Sequence, residues 1–389
     1  MSDESLLRVD DLTVEFRTDQ GVVRAVDGVS FDVERAETVC LVGESGSGKT
    51  VVGESITRVL REPPGEIRGG TVHFDGQDLR SLSEAQLGAV RGDRIAHVFQ
   101  NPQDSLNPVY TVGWQLIEAV QLHADVSKRE ARARAIDFLD RVGIPDPASR
   151  VDDYPHELSG GMKQRVAIAM ALAGDPDLLI ADEPTTALDV TIQSRVLGLL
   201  EEIQSEFGMG ILLVTHDLGV VADVADRVVV LYQGRVMERG DVYAIFDRPA
   251  HPYTRSLLDS IPGRGASRAS AATATDPAPG PADTGANGST LTDSNPAEQS
   301  AGCCFRDRCP YAVEACRRGD QPPLYDVSGT EGAATPAGAA TADDNADREH
   351  AVSCVHFAPE GDPTVVYGTA VDADTRADGS YSRDGGEPQ

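Results

Sequence analysis

Apolar and polar positions alternate through three short runs near the start of the chain: residues 12–16, 22–26 and 29–33. A two-residue period turns one face of a strand to a core and the other to water, so these runs predict short antiparallel strands. The pattern then changes to nearly unbroken apolar runs at 38–42, 95–99, 178–181, 211–215 and 227–231. Strands covered on both faces read this way, which is the mark of a parallel sheet. Between them, residues 51–60 and 192–207 carry helical spacing, and Pro63-Pro64-Gly65 should stop the first of these helices. Residues 69–76 read as a further strand and turn, and 232–235 as a hairpin turn. From about 101 to 175 the spacing is helical, over 111–121 and 128–142, with few strand signals. The prediction is an α/β domain over 1–262, with an antiparallel β subdomain and a helical insertion at about 101–175. Residues 263–300 are rich in Ala, Thr, Gly, Asp, Ser and Pro and read as a disordered linker. A small cysteine-containing region over 301–357 follows, broken by a second low-complexity stretch, and 358–389 reads as a disordered tail.

Charge changes this picture in one respect. The 389 residues hold 63 acidic side chains against 34 Lys and Arg, a formal net charge of -29. Sequence-nonspecific nucleic-acid binding needs a cationic surface, so no nucleic-acid partner is expected. The surplus fits an acidic interaction tail or a halophilic surface. Because carboxylates occur throughout and Lys is scarce beside Arg, salt adaptation is the favoured reading. No run approaches the ~20 apolar residues of a membrane span. The start, Met1-Ser2-Asp3-Glu4-Ser5, lacks the basic and apolar regions of a signal peptide, so the chain is expected to stay in the cytoplasm. Five of six cysteines fall in the last quarter, which in a reducing compartment points to a metal site before disulfides.

The chemistry begins at Gly43-Glu44-Ser45-Gly46-Ser47-Gly48-Lys49-Thr50, between the apolar run 38–42 and a helix. This is the phosphate-binding loop in its strand–loop–helix context. Its glycines let backbone N–H groups line a nest for phosphate oxygens. Lys49 would reach the β- and γ-phosphates, and the Thr50 hydroxyl would ligate Mg²⁺. Such a loop calls for an acidic element at the end of a neighbouring strand. Asp182 and Glu183 supply it after the run 178–181. Asp182 would hold the metal through water, and Glu183 would polarise the water that attacks the γ-phosphate. A second phosphate site is predicted at Leu158-Ser159-Gly160-Gly161-Met162, where Ser159 caps a helix whose dipole favours anions. One nucleotide rarely needs two such sites from one chain.

The order of these stretches, with Gln100 after one strand, Ala187-Leu188-Asp189 beyond the acids and His216 after another strand, resembles the ATP-binding cassette (ABC) ATPases. The resemblance implies a P-loop NTPase fold, an ATPase activity with ATP and Mg²⁺, and a head-to-tail dimer with ATP at its interface. Ser159, Gly160 and Gly161 would then serve the partner's nucleotide. The resemblance also implies that Phe16 stacks on adenine, with a strand's core position as the less favoured alternative. It further implies that Gln100 senses Mg²⁺ and the attacking water, that His216 contacts the γ-phosphate, and that Asp189 links the two sites. Residues 99–108 and His251-Pro252-Tyr253-Thr254-Arg255 are similar to the ATPases of oligopeptide/dipeptide importers, and Met162 to their dipeptide "D"-type subunit. Expected partners are therefore a second ATPase subunit (a non-identical one or a second copy), two transmembrane permeases and, indirectly, an extracellular solute-binding protein. The expected place is peripheral, on the cytoplasmic face of the cell membrane. The alternative is a soluble cassette of repair, translation or cluster assembly. Cys303, Cys309 and Cys316, with Cys354, resemble that branch's C-terminal motif, some members of which carry a [4Fe–4S] cluster; iron–sulfur, zinc and no metal all stay open.

Overall fold

The computed structural model describes residues 5–19, 21–100, 105–185, 190–261, 301–328 and 350–367. The 263–300 linker, residues 101–104 and 187–189, and the tail beyond 367 lie outside the described residues.

Two sheets are present. In the first, β1 (Leu7–Thr18) lies between β2 (Gly21–Val33) and β4 (Gly65–Phe74), all antiparallel, with the two-residue β5 (Gln77–Asp78) at the edge. The two alternating runs expected at 22–26 and 29–33 are one strand. The register against β1 shifts between Val9 and Leu12, between Leu12 and Val14, opposite Val29 and Val26, and between Val14 and Glu15; the second of these stands where the break was expected.

The second sheet carries the parallel core. Its strands are β3 (Thr38–Val42), β6 (Ile95–Val98), β7 (Leu178–Asp182), β8 (Gly210–Thr215), β9 (Arg227–Tyr232), β10 (Arg235–Asp241), β11 (Tyr325–Asp326) and β12 (Ala351–Val352). Their order is β11-β12-β10-β9-β3-β8-β7-β6. β6, β7, β8, β3 and β9 run parallel in that order. Every residue of β3, β7 and β8 is buried, as their unbroken apolar runs required. One face packs with the antiparallel sheet and α1 (Lys49–Ile56) around Leu41, Val52, Ile180 and Leu231. The other packs with the helical insertion around Leu116, Leu139, Ile168 and Leu213.

α1 is shorter than its helical spacing predicts. It ends four residues before the expected limit because Thr57 is fully buried, its hydroxyl 2.7 Å from His97 Nε2, and Arg58 turns left-handed at φ +53°. The chain therefore breaks before the prolines are reached. The insertion holds α3 (Val112–His123), α4 (Lys128–Arg141) and α5 (Gly160–Ala171), after the short α2 (Glu84–Val90). Beyond β7 come α6 (Val190–Phe207), α7 (Leu218–Val224), α8 (Val242–Asp247) and α9 (Pro252–Asp259).

The cysteine region docks on this core instead of standing apart. β11 (Tyr325–Asp326) and β12 (Ala351–Val352) extend the second sheet, with Val352 opposite Glu238 of β10. Glu238 is fully buried, and its carboxylate accepts from the backbone N–H groups of Ala250 and His251 and lies 2.7 Å from His350 Nε2. That satisfied buried acid ties β10, the start of α9 and β12 together.

Candidate functional site: a nucleotide crevice at the ends of four strands

Four adjacent parallel strands end at one crevice, and each delivers one expected group. The loop 43–50 follows β3, His216 follows β8, Asp182 and Glu183 close β7, and Gln100 follows β6. The carboxyl ends of parallel strands are where an open α/β sheet binds ligands.

The loop's shape is set by its glycines. Gly46 has φ +79° and Gly48 φ +100°, and a Cβ on Gly48 would run into the backbone carbonyl of Ala25. Lys49 is buried, and its Nζ donates to the carbonyls of Gly43 and Glu44 at 2.9 Å each, with Ser47 Oγ at 3.5 Å. Burial lowers its pKa, against which Glu183 and Asp182 pull it back up. Ser45 and Gly46 are exposed, at the mouth of the nest.

Asp182 is nearly buried, and burial raises its pKa in spite of a hydrogen bond from Thr50 and the charge of Lys49. Its Oδ1 has no hydrogen-bond partner among the described residues. A buried, half-satisfied carboxylate beside a threonine hydroxyl suits a cation, so the residues fit Mg²⁺ on their own geometry.

Glu183 sits at φ +45°, a strained setting for a non-glycine residue, and its backbone N–H donates to Val214 on β8. Its carboxylate is gripped from both sides. Gln100 Nε2 donates to Oε2 at 2.8 Å, and His216 Nδ1 lies 2.8 Å from Oε1. Of the three residues singled out for catalysis in the sequence, Gln100 and His216 thus each meet Glu183, from the ends of three neighbouring strands.

The second predicted phosphate site stands at the start of α5. Ser159 Oγ accepts from the Met162 N–H at 3.3 Å, and Gly160 is exposed with open space above it. A Cβ on Gly161 would meet Ile192 at 2.8 Å, so this glycine lets α5 and α6 pack closely. Phe16 lies on β1, opposite Val23 and Gly65, half-buried against the core shared by the two sheets.

Sequence reasoning missed what holds the loop from behind. The Glu44 N–H donates to the Tyr253 hydroxyl at 2.9 Å, and the Glu44 carboxylate takes both arms of Arg308 at 2.8 and 2.9 Å. Both partners lie in stretches the sequence singles out, the His251–Arg255 run and the cysteine motif. No periodicity reveals a contact across more than 200 residues.

The expected metal thiols converge without closing. Charges on Cys303, Cys309 and Cys316 all act to raise the pKa of Cys354, which burial first pushes up to about 12. The Cys303 N–H donates to the Cys316 carbonyl at 2.9 Å. Among the described residues, however, no three His, Cys, Asp or Glu side chains are arranged tightly enough to hold an ion. Cys304 faces elsewhere, 3.7 Å from Met237 Sδ, and Cys40 is buried in β3.

Fold and crevice together define an ATP-binding cassette ATPase. The "ABC transporter" family matches residues 26–186, and "Oligopeptide/dipeptide transporter, C-terminal region" matches 237–316. The dipeptide transport ATP-binding protein DppD of Escherichia coli is 46% identical over 313 residues, spanning 80% of this chain and 91% of its own. The cassette MJ0796, solved as a dimer in a post-hydrolysis state with ADP and phosphate, aligns with TM-score 0.55 at 28% identity. That alignment covers 61% of this chain and 98% of the cassette. The protein cbiO1 of Clostridium perfringens, part of the ABC transporter complex cbiONQ, aligns with TM-score 0.56 at 27% identity, covering 69% of this chain and 100% of its own. The chain belongs to the ATP-binding proteins of ABC transporters, in their oligopeptide/dipeptide branch, and is an ATP-hydrolysing importer subunit. The match at 237–316 disfavours a soluble cassette of repair, translation or cluster assembly. No helix among the described residues is long and apolar enough to cross a membrane.

Proposed function

We propose that this subunit powers uptake of di- or oligopeptides or related solutes. It would work at the cytoplasmic face of the membrane with two permeases, a second ATPase subunit and an external binding protein. The observation that carries the reading is the Glu183 carboxylate held between Gln100 and His216, beside Asp182 and Thr50. In this reading Gly43 to Thr50 wrap the phosphates, and Lys49 leaves its carbonyls to meet the β- and γ-oxygens. Thr50, Asp182 and Gln100 hold Mg²⁺, which supplies charge neutralisation to the phosphates. Glu183 accepts the proton of the attacking water, and His216 fixes Glu183 and contacts the γ-phosphate. Phe16 stacks on adenine. Ser159, Gly160 and Gly161 complete the nucleotide site of the neighbouring ATPase subunit. Met162, in the place typical of the D-type subunit, favours a non-identical neighbour over a second copy.

The proposed division is an ATPase domain over 1–262 with its helical part at 101–175, a linker to 300, the cysteine region to 357 and a tail. The soft thiols of Cys303, Cys309, Cys316 and Cys354 suit an iron–sulfur cluster or zinc by their chemistry, although they do not stand close enough to hold an ion in this structure; metal analysis and the absorption spectrum of anaerobically purified protein decide between them, and loss of all metal from the wild type counts against both. The acidic surplus is read as salt adaptation, tested by whether the unfolding midpoint rises with KCl into the molar range. The function itself is tested by reconstituting the chain with its permeases and second ATPase in vesicles. ATP on the side of this chain should drive uptake of labelled dipeptide supplied with the binding protein. Uptake that ignores ATP would refute the proposal.

A further inference from the structure

The contact at the back of the P-loop joins two regions that the nucleotide chemistry leaves separate. Arg308 immediately precedes Cys309, and its guanidinium lies over two rings, 5.8 Å from Tyr232 and 5.7 Å from Phe305. Those rings and Tyr253 form one aromatic shelf, with centroids 4.6 Å apart for Tyr232–Tyr253 and 5.3 Å for each of the two against Phe305. The shelf is assembled from the end of β9, the start of α9 and the cysteine region. From it Arg308 reaches Glu44 with a two-pronged ion pair at 2.8 and 2.9 Å. Glu44 in turn presents its carbonyl to Lys49 Nζ and its N–H to the Tyr253 hydroxyl. A continuous path therefore runs from Cys309 through Arg308 and Glu44 to the lysine of the loop.

The plain alternative is a solvated surface ion pair, since the two side chains are 51% and 42% exposed. Exposed pairs contribute little when both partners are free to move. Here neither is. The guanidinium is stacked on aromatic rings and the carboxylate belongs to a loop already pinned at its own N–H. A fork-to-fork bond between preorganised partners also sets orientation, which a point contact does not. The pull of Arg308 holds the Glu44 carboxyl below its ordinary range, in keeping with a formed pair.

We propose that Arg308 is a positioning residue for the nucleotide: it ties the cysteine-bearing C-terminal region to the P-loop, so that ATP binding and docking of that region favour each other. The proposal rests on the reading of Gly43 to Thr50 as the ATP loop. Reciprocity is a thermodynamic requirement, because a contact that helps the loop bind must itself be strengthened when the loop is filled.

The test uses the full chain, a non-hydrolysable ATP analogue with Mg²⁺, and the variants Glu44→Gln, Arg308→Gln and both together. Each single change should weaken analogue binding about three- to fivefold, and the double no more than either, because a bridge is broken only once. Hydrogen–deuterium exchange over residues 303–318 should slow on adding the analogue to wild type and stay unchanged in Arg308→Gln. Arg308→Lys, which keeps the charge and loses the fork, covers the case in which Arg308→Gln does not fold and should give an intermediate affinity. Effects that multiply in the double variant, or exchange over 303–318 indifferent to the analogue in wild type, overturn the proposal. A wild type that does not bind the analogue at all defeats the reading of the loop instead.

Discussion

At Gly48 and Asp182 the proposed nucleotide roles can be tested one residue at a time. Gly48→Ala forces a side chain onto φ +100° and against the Ala25 carbonyl. Strain of this kind costs about 1–3 kcal/mol, and the loop must shift to relieve the overlap. The expected result is at least about tenfold weaker ATP binding by titration, with the remaining fold intact by circular dichroism. Asp182 works in the opposite sense. Burial raises its folded-state pKa, so between the unfolded value and that raised value the native protein binds more protons than the unfolded chain. Stability therefore falls as pH rises through that window, and the full penalty persists above it. Asp182→Asn should remove this fall. In the absence of nucleotide and Mg²⁺ it should raise the unfolding midpoint at neutral pH by roughly 2–4 °C for each kcal/mol relieved, and abolish Mg²⁺-dependent turnover. A midpoint lowered at every pH would show that the carboxylate is structural.

At the scale of elements, the strands were legible and their pairing was not. Unbroken apolar runs located β3, β7 and β8 because burial on both faces leaves no alternation to misread. The break expected between the runs at 22 and 29 did not occur, because a register shift against β1 absorbs the irregularity within one strand. The end of α1 was set by Thr57 meeting His97, a contact 40 residues apart in sequence that local spacing cannot contain. The N-terminus of α5 was legible: Ser159 does cap it. Ser159→Ala should cost about 1 kcal/mol in unfolding free energy from the lost cap. If that helix end serves the neighbouring subunit's nucleotide, the isolated chain keeps its ATP affinity while turnover of the assembled pair falls. Equal loss in both measurements would place Ser159 in its own chain's site.

At the scale of the whole molecule, motif spacing brought Gln100, Asp182, Glu183 and His216 to neighbouring strand ends, since each stood directly after an apolar run. What spacing could not carry was the back of the site. Tyr253 and Arg308 reach Glu44 only because the sheet continues through β10 into β12 and brings the C-terminal region round to the loop. The same docking brings Cys354 within electrostatic reach of Cys303, Cys309 and Cys316, although 38 positions separate Cys316 from Cys354 in the sequence. The proposed function comes down to one claim: Glu183, held by Gln100 and His216, would activate the water that hydrolyses ATP. The most direct test is phosphate release by the assembled transporter carrying Glu183→Gln, measured beside ATP binding. Turnover should fall at least about 100-fold with ATP affinity retained. Phosphate release at the wild-type rate would contradict the claim.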